Sequence, residues 1–156
     1  MTWVRYTLPA AAMMSIASPA YAVQYLSIEQ AQKQAFPSAT RFIEMQAGRV
    51  WKAEAGGQVA GFFIFDRVVG KHLFIDYAVA LTPGGAVHSV EILQYRESYG
   101  GEIRGPGWLA QFVGKTGDSA LKVNGDIRNI AGATLSSMHV TEGVKRVLAT
   151  YGNRLR

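Results

Sequence analysis

Cysteine is absent from this 156-residue chain. Disulfides, iron–sulfur clusters, thiolate metal sites and a nucleophilic thiol are therefore all excluded, and stability must come from packing. Histidine is scarce. His72, His88 and His139 stand far apart with no ligand spacing between them, so three structural or surface histidines are expected rather than a metal site. Neither "GDSAL" nor "LSSMH" forms the G-x-S-x-G elbow of a serine hydrolase, and the glycine patterns of Rossmann and P-loop folds are missing. A long membrane-spanning run is missing too: the apolar stretch from about Leu8 to Ala17 is shorter than the roughly 20 residues a bilayer requires.

That stretch has a different meaning. Arg5 precedes it and Ala20-Tyr21-Ala22 closes it, the charged, apolar and A-x-A sections of a secretory signal peptide. Cleavage is expected after Ala22, with an uncleaved membrane anchor as the alternative. Residues 23 to 156 then form one domain, large enough for a real core. The formal charge of the chain is +5, of which Arg5 supplies one unit. Basic residues are scattered except at Lys145, Arg146, Arg154 and Arg156. In a protein expected to be periplasmic or otherwise exported, that pattern predicts a solvated surface with no nucleic-acid partner, while leaving room for an anionic ligand or an acidic partner.

Local patterns predict an α+β fold. Ser27 and Gln30 have capping-box spacing, so a short helix is expected from there to just before Pro37, with Ile28, Ala31, Ala35 and Phe36 facing inward. Strands are expected near 49 to 54 and 59 to 66, about the turn "AGG" at 55 to 57. The period of two is clearest in "LFIDYAVALT", where Leu73, Ile75, Tyr77, Val79 and Leu81 alternate with Phe74, Asp76, Ala78, Ala80 and Thr82. With "AVHSVEILQY" and the joining Pro83-Gly84-Gly85 it predicts an antiparallel hairpin. The glycine-rich "RESYGGEIRGPGW" after it reads as an irregular loop suited to a site, followed by a short helix from Trp108 to Val113 and an irregular stretch from 114 to 131. A last helix, about Ser136 to Tyr151, sets Val140, Val144, Val147, Leu148 and Tyr151 at helical spacing. The resulting architecture is an antiparallel sheet with an N-terminal and a C-terminal helix.

The stretch before that last helix carries the chemistry. Gly132 and Ala133 lack bulk, so a ligand can approach their backbone, and Thr134 sets a hydroxyl just ahead of the helix start. The first N–H groups of a helix have no internal partner and lie at the positive end of its dipole, which makes an anion site to which Ser136 and Ser137 add donors. His139, in the first turn, is a further candidate to face a phosphate. The plainer reading is that Thr134 or Ser136 caps the helix and nothing more.

"GATLSS" resembles the flavinylation motif of the FMN-binding domain family, which includes the flavin-bearing G subunit of the Rnf complex, the C subunit of the sodium-pumping NADH:quinone reductase and small exported proteins. "YAVALTPGGAVHSVEILQYRESYGGEIRGPGWLAQFVGK" is similar to the strands and loop that precede the motif in the small members, so the likeness covers roughly residues 72 to 150. The early "EQAQKQAFP" helix resembles theirs as well. The resemblance implies a covalent FMN, transferred from FAD by a flavin transferase and joined through its phosphate to Thr134. It also implies an electron carrier rather than a complete enzyme, with a membrane or periplasmic redox protein as partner and membrane association only through that partner. Ring contacts are then expected from the glycine-rich loop, namely Tyr95, Glu97, Tyr99, Gly100, Gly101 and Trp108. Many members have Ser or Thr where this chain has Ala131, and an acid where it has Arg128; Asp126 is the candidate to stand in for that acid. Non-covalent binding of FMN or another phosphate ligand, and a stand-alone flavin reductase, are the competing functions.

Overall fold

A computed structural model describes residues 23–155. The expected signal peptide lies outside them. Six antiparallel strands form one sheet in the order β1-β6-β5-β4-β3-β2: β1 Val23–Gln24, β2 Arg41–Gln46, β3 Val50–Ala55, β4 Gln58–Val69, β5 Phe74–Leu81 and β6 Val87–Tyr95. Strands β2 to β6 are a simple meander, and the short β1 pairs with β6 at the far edge. Helix α1, Ile28–Ala35, covers one face, and helix α3, Thr134–Tyr151, covers the other. The small helix α2, Pro106–Leu109, lies between β6 and α3. Among the described residues no helix is long and apolar enough to cross a membrane.

The period-two pattern of β5 explains both layers. Ile75, Tyr77, Val79 and Leu81 enter the larger core beneath α3, while Ala78 and Ala80 face α1 with Phe63 and Leu93. Small residues on that second face let α1 approach closely. The helix begins at Ser27 with both capping-box hydrogen bonds to Gln30 in place, and buries Ala31, Gln32 and Ala35. His88 belongs to this layer: its ring stacks on Phe36 at 5.2 Å, and Nε2 donates to the Ala35 carbonyl at 2.8 Å.

Helix α3 docks through Val140, Val144, Val147 and Leu148. It also carries Gly143, where a Cβ would strike the Tyr77 hydroxyl and come within 2.9 Å of Val68. Beside that contact Asp66 is buried, accepting from Tyr77 Oη at 2.8 Å, Arg146 Nη2 at 2.6 Å and Arg49 Nη2 at 3.0 Å. Burial alone would push the Asp66 carboxyl up, but the Arg146 guanidinium, the Tyr77 hydroxyl and the Arg67 backbone N–H hold it below the usual carboxylate range. The same arrangement pushes the Tyr77 hydroxyl far above its ordinary value, through burial first and the Asp66 charge second.

Residues 96–133 form a strap packed along β6, with the Gly114 N–H donating to the Val87 carbonyl and the Val87 N–H to the Lys115 carbonyl at the start of that strand. A single turn of 3-10 helix at Gly101–Arg104, α2, and a second such turn at Ala110–Phe112 give it shape. Proline at the first position of α2 lacks only an N–H that a helix start leaves unpaired. The strap is irregular, as expected, yet far from loose: Ile103, Trp108, Leu109, Phe112, Leu121 and Ile127 are all buried in the larger core. The helix expected at Trp108 to Val113 thus starts earlier and tightens after Leu109.

Candidate functional site

The start of α3 has no side-chain cap. Its N-cap is Ala133, whose methyl offers no acceptor to the first-turn amides. The plain capping role for Thr134 or Ser136 therefore fails. Gly132, at φ +82°, and Ala133, whose N–H donates to the Ile130 carbonyl at 3.0 Å, turn the chain into the helix. Thr134 is the first helical residue, exposed, with Oγ1 accepting from Asn129 Nδ2 at 3.1 Å. Ser136 is buried, with its Oγ 3.3 Å from the Tyr95 hydroxyl.

This helix start forms one wall of a cleft of about 630 Å³, lined by Gly132, Ala133, Thr134, Leu135 and Ser136. The facing wall comes from Tyr95, Glu97, Ser98 and Tyr99 after β6, and from Lys71 and His72 in the turn between β4 and β5. Glu97 locks the two parts of that wall together. Its Oε1 accepts from the backbone N–H of His72 at 2.5 Å and of Leu73 at 2.7 Å. Burial raises its carboxyl, and the amides of His72, Leu73 and Lys71 bring it net below the usual range. Glu97 is therefore an anion spent largely on the hairpin turn. Tyr99 is the reverse case, 86% exposed at the cleft rim with a free aromatic face.

Tyr95 ties the walls at their base. Its hydroxyl donates to the Tyr99 carbonyl and faces Ser136, and burial raises it above its ordinary value despite the Ser136 hydrogen bond. It is a strand-end core residue with one edge on the cleft. Gly100 makes this junction possible: at φ +86°, a Cβ there would lie 2.6 Å from the Tyr95 hydroxyl and 3.0 Å from the Ala133 Cβ. The close approach expected of Gly100 is thus made by the protein's own helix start. Gly101 lies with it in a separate hollow beside Glu102 and Arg104.

Three expected site residues are directed elsewhere. Trp108 is buried, edge-on to Phe112 at 5.2 Å, and its Nε1 donates to the Arg128 carbonyl at 2.7 Å, so it anchors the strap instead of stacking in the cleft. Ser137 is fully buried, and its hydroxyl donates to the Ala133 carbonyl at 2.9 Å one turn back. His139 points to the end of β4, with Nδ1 2.6 Å from the Val69 carbonyl oxygen and 3.0 Å from that of Gly70. Carbonyls only accept, so Nδ1 carries the proton. His139 thereby fixes α3 against the hairpin turn and sets the spacing of the two walls. Asp126 is also engaged away from Thr134. It accepts from the backbone N–H groups of Lys122 and Leu121 and from Lys115 Nζ, which together hold its carboxyl far below the usual range. Arg128 is exposed, its N–H donating to Gln111 Oε1 at 2.8 Å.

Lys71, His72, Ser98 and Leu135 line the cleft but do not stand out in the sequence. The break at Gly70-Lys71-His72 between two strand patterns was the available signal for the first two, since such turns often carry sites. Chemically, the cleft joins an uncapped helix start and the Lys71 ammonium, both suited to a phosphate, with the exposed ring of Tyr99, suited to a planar group. The one Ser136 hydroxyl proton is directed to Tyr95 Oη, whose own proton goes to the Tyr99 carbonyl. Its volume is within the roughly 300–1,000 Å³ of cofactor sites. These residues fit a flavin mononucleotide.

No curated protein matches the chain. A family profile described as FMN-binding domain does match, over residues 70–149, which is just over half of the chain. That interval opens in the hairpin turn carrying Lys71 and His72 and ends within α3, so every residue lining the cleft falls inside it. The chain belongs to the FMN-binding domain family.

Proposed function

We propose that the protein is an exported electron carrier whose FMN is joined through its phosphate to Thr134. One observation supports this attachment above the others: α3 begins without a cap, and the exposed Thr134 hydroxyl stands at the cleft rim among unpaired first-turn amides. A phosphoester on Thr134 places its remaining phosphate oxygens where those amides and the dipole favour negative charge. Bound FMN supplies the redox chemistry, and the chain positions it and tunes its surroundings. Tyr99 offers a stacking face, and Lys71 adds a positive charge to the same cleft.

Export rests on the leader features of residues 1 to 22. The partners on this reading are a flavin transferase, which takes the FMN group from FAD, and a membrane or periplasmic redox protein that exchanges electrons with the carrier. Denaturing electrophoresis after co-expression with a flavin transferase tests the linkage. Flavin fluorescence that stays with the polypeptide is expected, whereas fluorescence that washes away would favour non-covalent binding. Turnover of a reduced nicotinamide by the purified loaded protein alone would favour a flavin reductase.

A further inference from the structure

We infer that Asn129 positions the Thr134 hydroxyl for attack on the flavin donor; this rests on the covalent reading above. The Asn129 side chain is set in the strap so that Nδ2 donates to Thr134 Oγ1 at 3.1 Å. Its other amide atom, Oδ1, is shut away from solvent and has no hydrogen-bond partner. The two ends of an amide are interchangeable by a flip, so in either orientation one end meets Thr134 and the other meets nothing. Leaving a buried polar end unpaired weakens a fold, and an apolar side chain would avoid that loss. Among the described residues, the one hydrogen bond of this amide is to the hydroxyl that would carry the cofactor.

The contact serves the transfer in two ways. It holds Thr134 Oγ1 in one direction at the cleft rim, removing freedom that a hydroxyl on an exposed first-turn residue would otherwise keep. In the orientation the structure records, with Nδ2 donating, it also leaves the threonine proton free for a base and supports negative charge developing on the oxygen. In the step itself, a Thr134 Oγ1–phosphorus bond forms while the phosphorus–oxygen bond joining FMN to AMP in FAD breaks. AMP leaves, the hydroxyl proton passes to a base on the transferase, and nothing is oxidised or reduced.

The test follows modification by intact mass, using the purified protein, purified flavin transferase and FAD, over a range of carrier concentrations. Asn129→Ala is expected to lower kcat about tenfold with KM for the carrier little changed, and without lowering the thermal midpoint. Asn129→Asp supplies a readout that a structural role would not move. A carboxylate cannot donate to Oγ1, but a protonated carboxyl can, so its rate relative to wild type should rise as pH falls toward the carboxyl range. Wild-type kcat in Asn129→Ala, or a loss confined to KM with a lower thermal midpoint, would overturn the inference alone. An unmodified wild-type protein would overturn the attachment reading and this inference with it.

Discussion

The hydroxyls near the start of α3 differ in what covers them. Ser137 faces the sheet and donates to the Ala133 carbonyl, Thr141 follows one turn later and donates to the Ser137 carbonyl at 2.7 Å, and Thr134 remains exposed. Residues at i, i+3, i+4 and i+7 share a face, so Thr134 lies on nearly the same side as Ser137 and Thr141; it is exposed because at the first helical position that side meets the open cleft instead of the core. In the sequence the hydroxyls of "GATLSS" look alike, and only the resemblance singles out Thr134. Lys71 and His72 are harder to foresee, because sheet pairing, not sequence proximity, brings a distant hairpin turn to the helix start. Glu97 is the residue that holds this turn. Glu97→Gln keeps the shape and removes the charge facing the His72 and Leu73 amides. It should cost no more than about 1 kcal/mol in stability at so solvated a position, yet speed hydrogen exchange of those two amides measurably by NMR. Unchanged exchange would show that Glu97 does not hold the turn.

At the scale of elements, the cleft depends on how closely α3 lies on the sheet. Gly143 permits that approach over Tyr77 and Val68, and His139 fixes the helix start to the end of β4. Gly143→Ala gains helix propensity but forces the helix away from Tyr77. A net loss of about 1–3 kcal/mol is expected in urea denaturation, as for other overpacked contacts. A stabilised variant would mean that the interface yields without strain. Much of this level is readable in advance. The capping box of α1, the β5–β6 hairpin and the last helix rest on periodicity and cap chemistry, which survive into the fold. Strand β2 is not foreseen, because it is an edge strand of mostly exposed residues with no alternating apolar signal. The strap misleads differently: its glycines predict an irregular loop given over to a site, while Ile103, Trp108 and Phe112 pull it into the core, leaving only residues 97–99 of it on the cleft beside the helix start.

For the whole molecule, with no cysteine to cross-link it, two buried carboxylates bear much of the electrostatic load. Asp66 is held by Arg49 and Arg146, and Asp76 by Arg67, with Nε at 2.5 Å, and by Arg96, with Nη2 at 2.8 Å. For both, burial raises the carboxyl but arginine donors hold it lower than in the unfolded chain. The unfolded state therefore binds protons first as pH falls. Their contribution is present in full above the unfolded value of about 3.9 and is lost as pH drops through the lower folded values. Thermal midpoints should accordingly fall on acidification below about pH 4, and Asp66→Asn should reduce the size of that fall while lowering the midpoint at neutral pH. An acid profile identical in Asp66→Asn would contradict the assignment. These charges secure the scaffold, while the function proposed for it rests on one oxygen atom. Intact mass after incubation with a flavin transferase and FAD, comparing wild type with Thr134→Ala, tests that claim most directly. The wild-type chain should gain one FMN phosphoester and the variant none; an unmodified wild type, or a variant that is still modified, would contradict it.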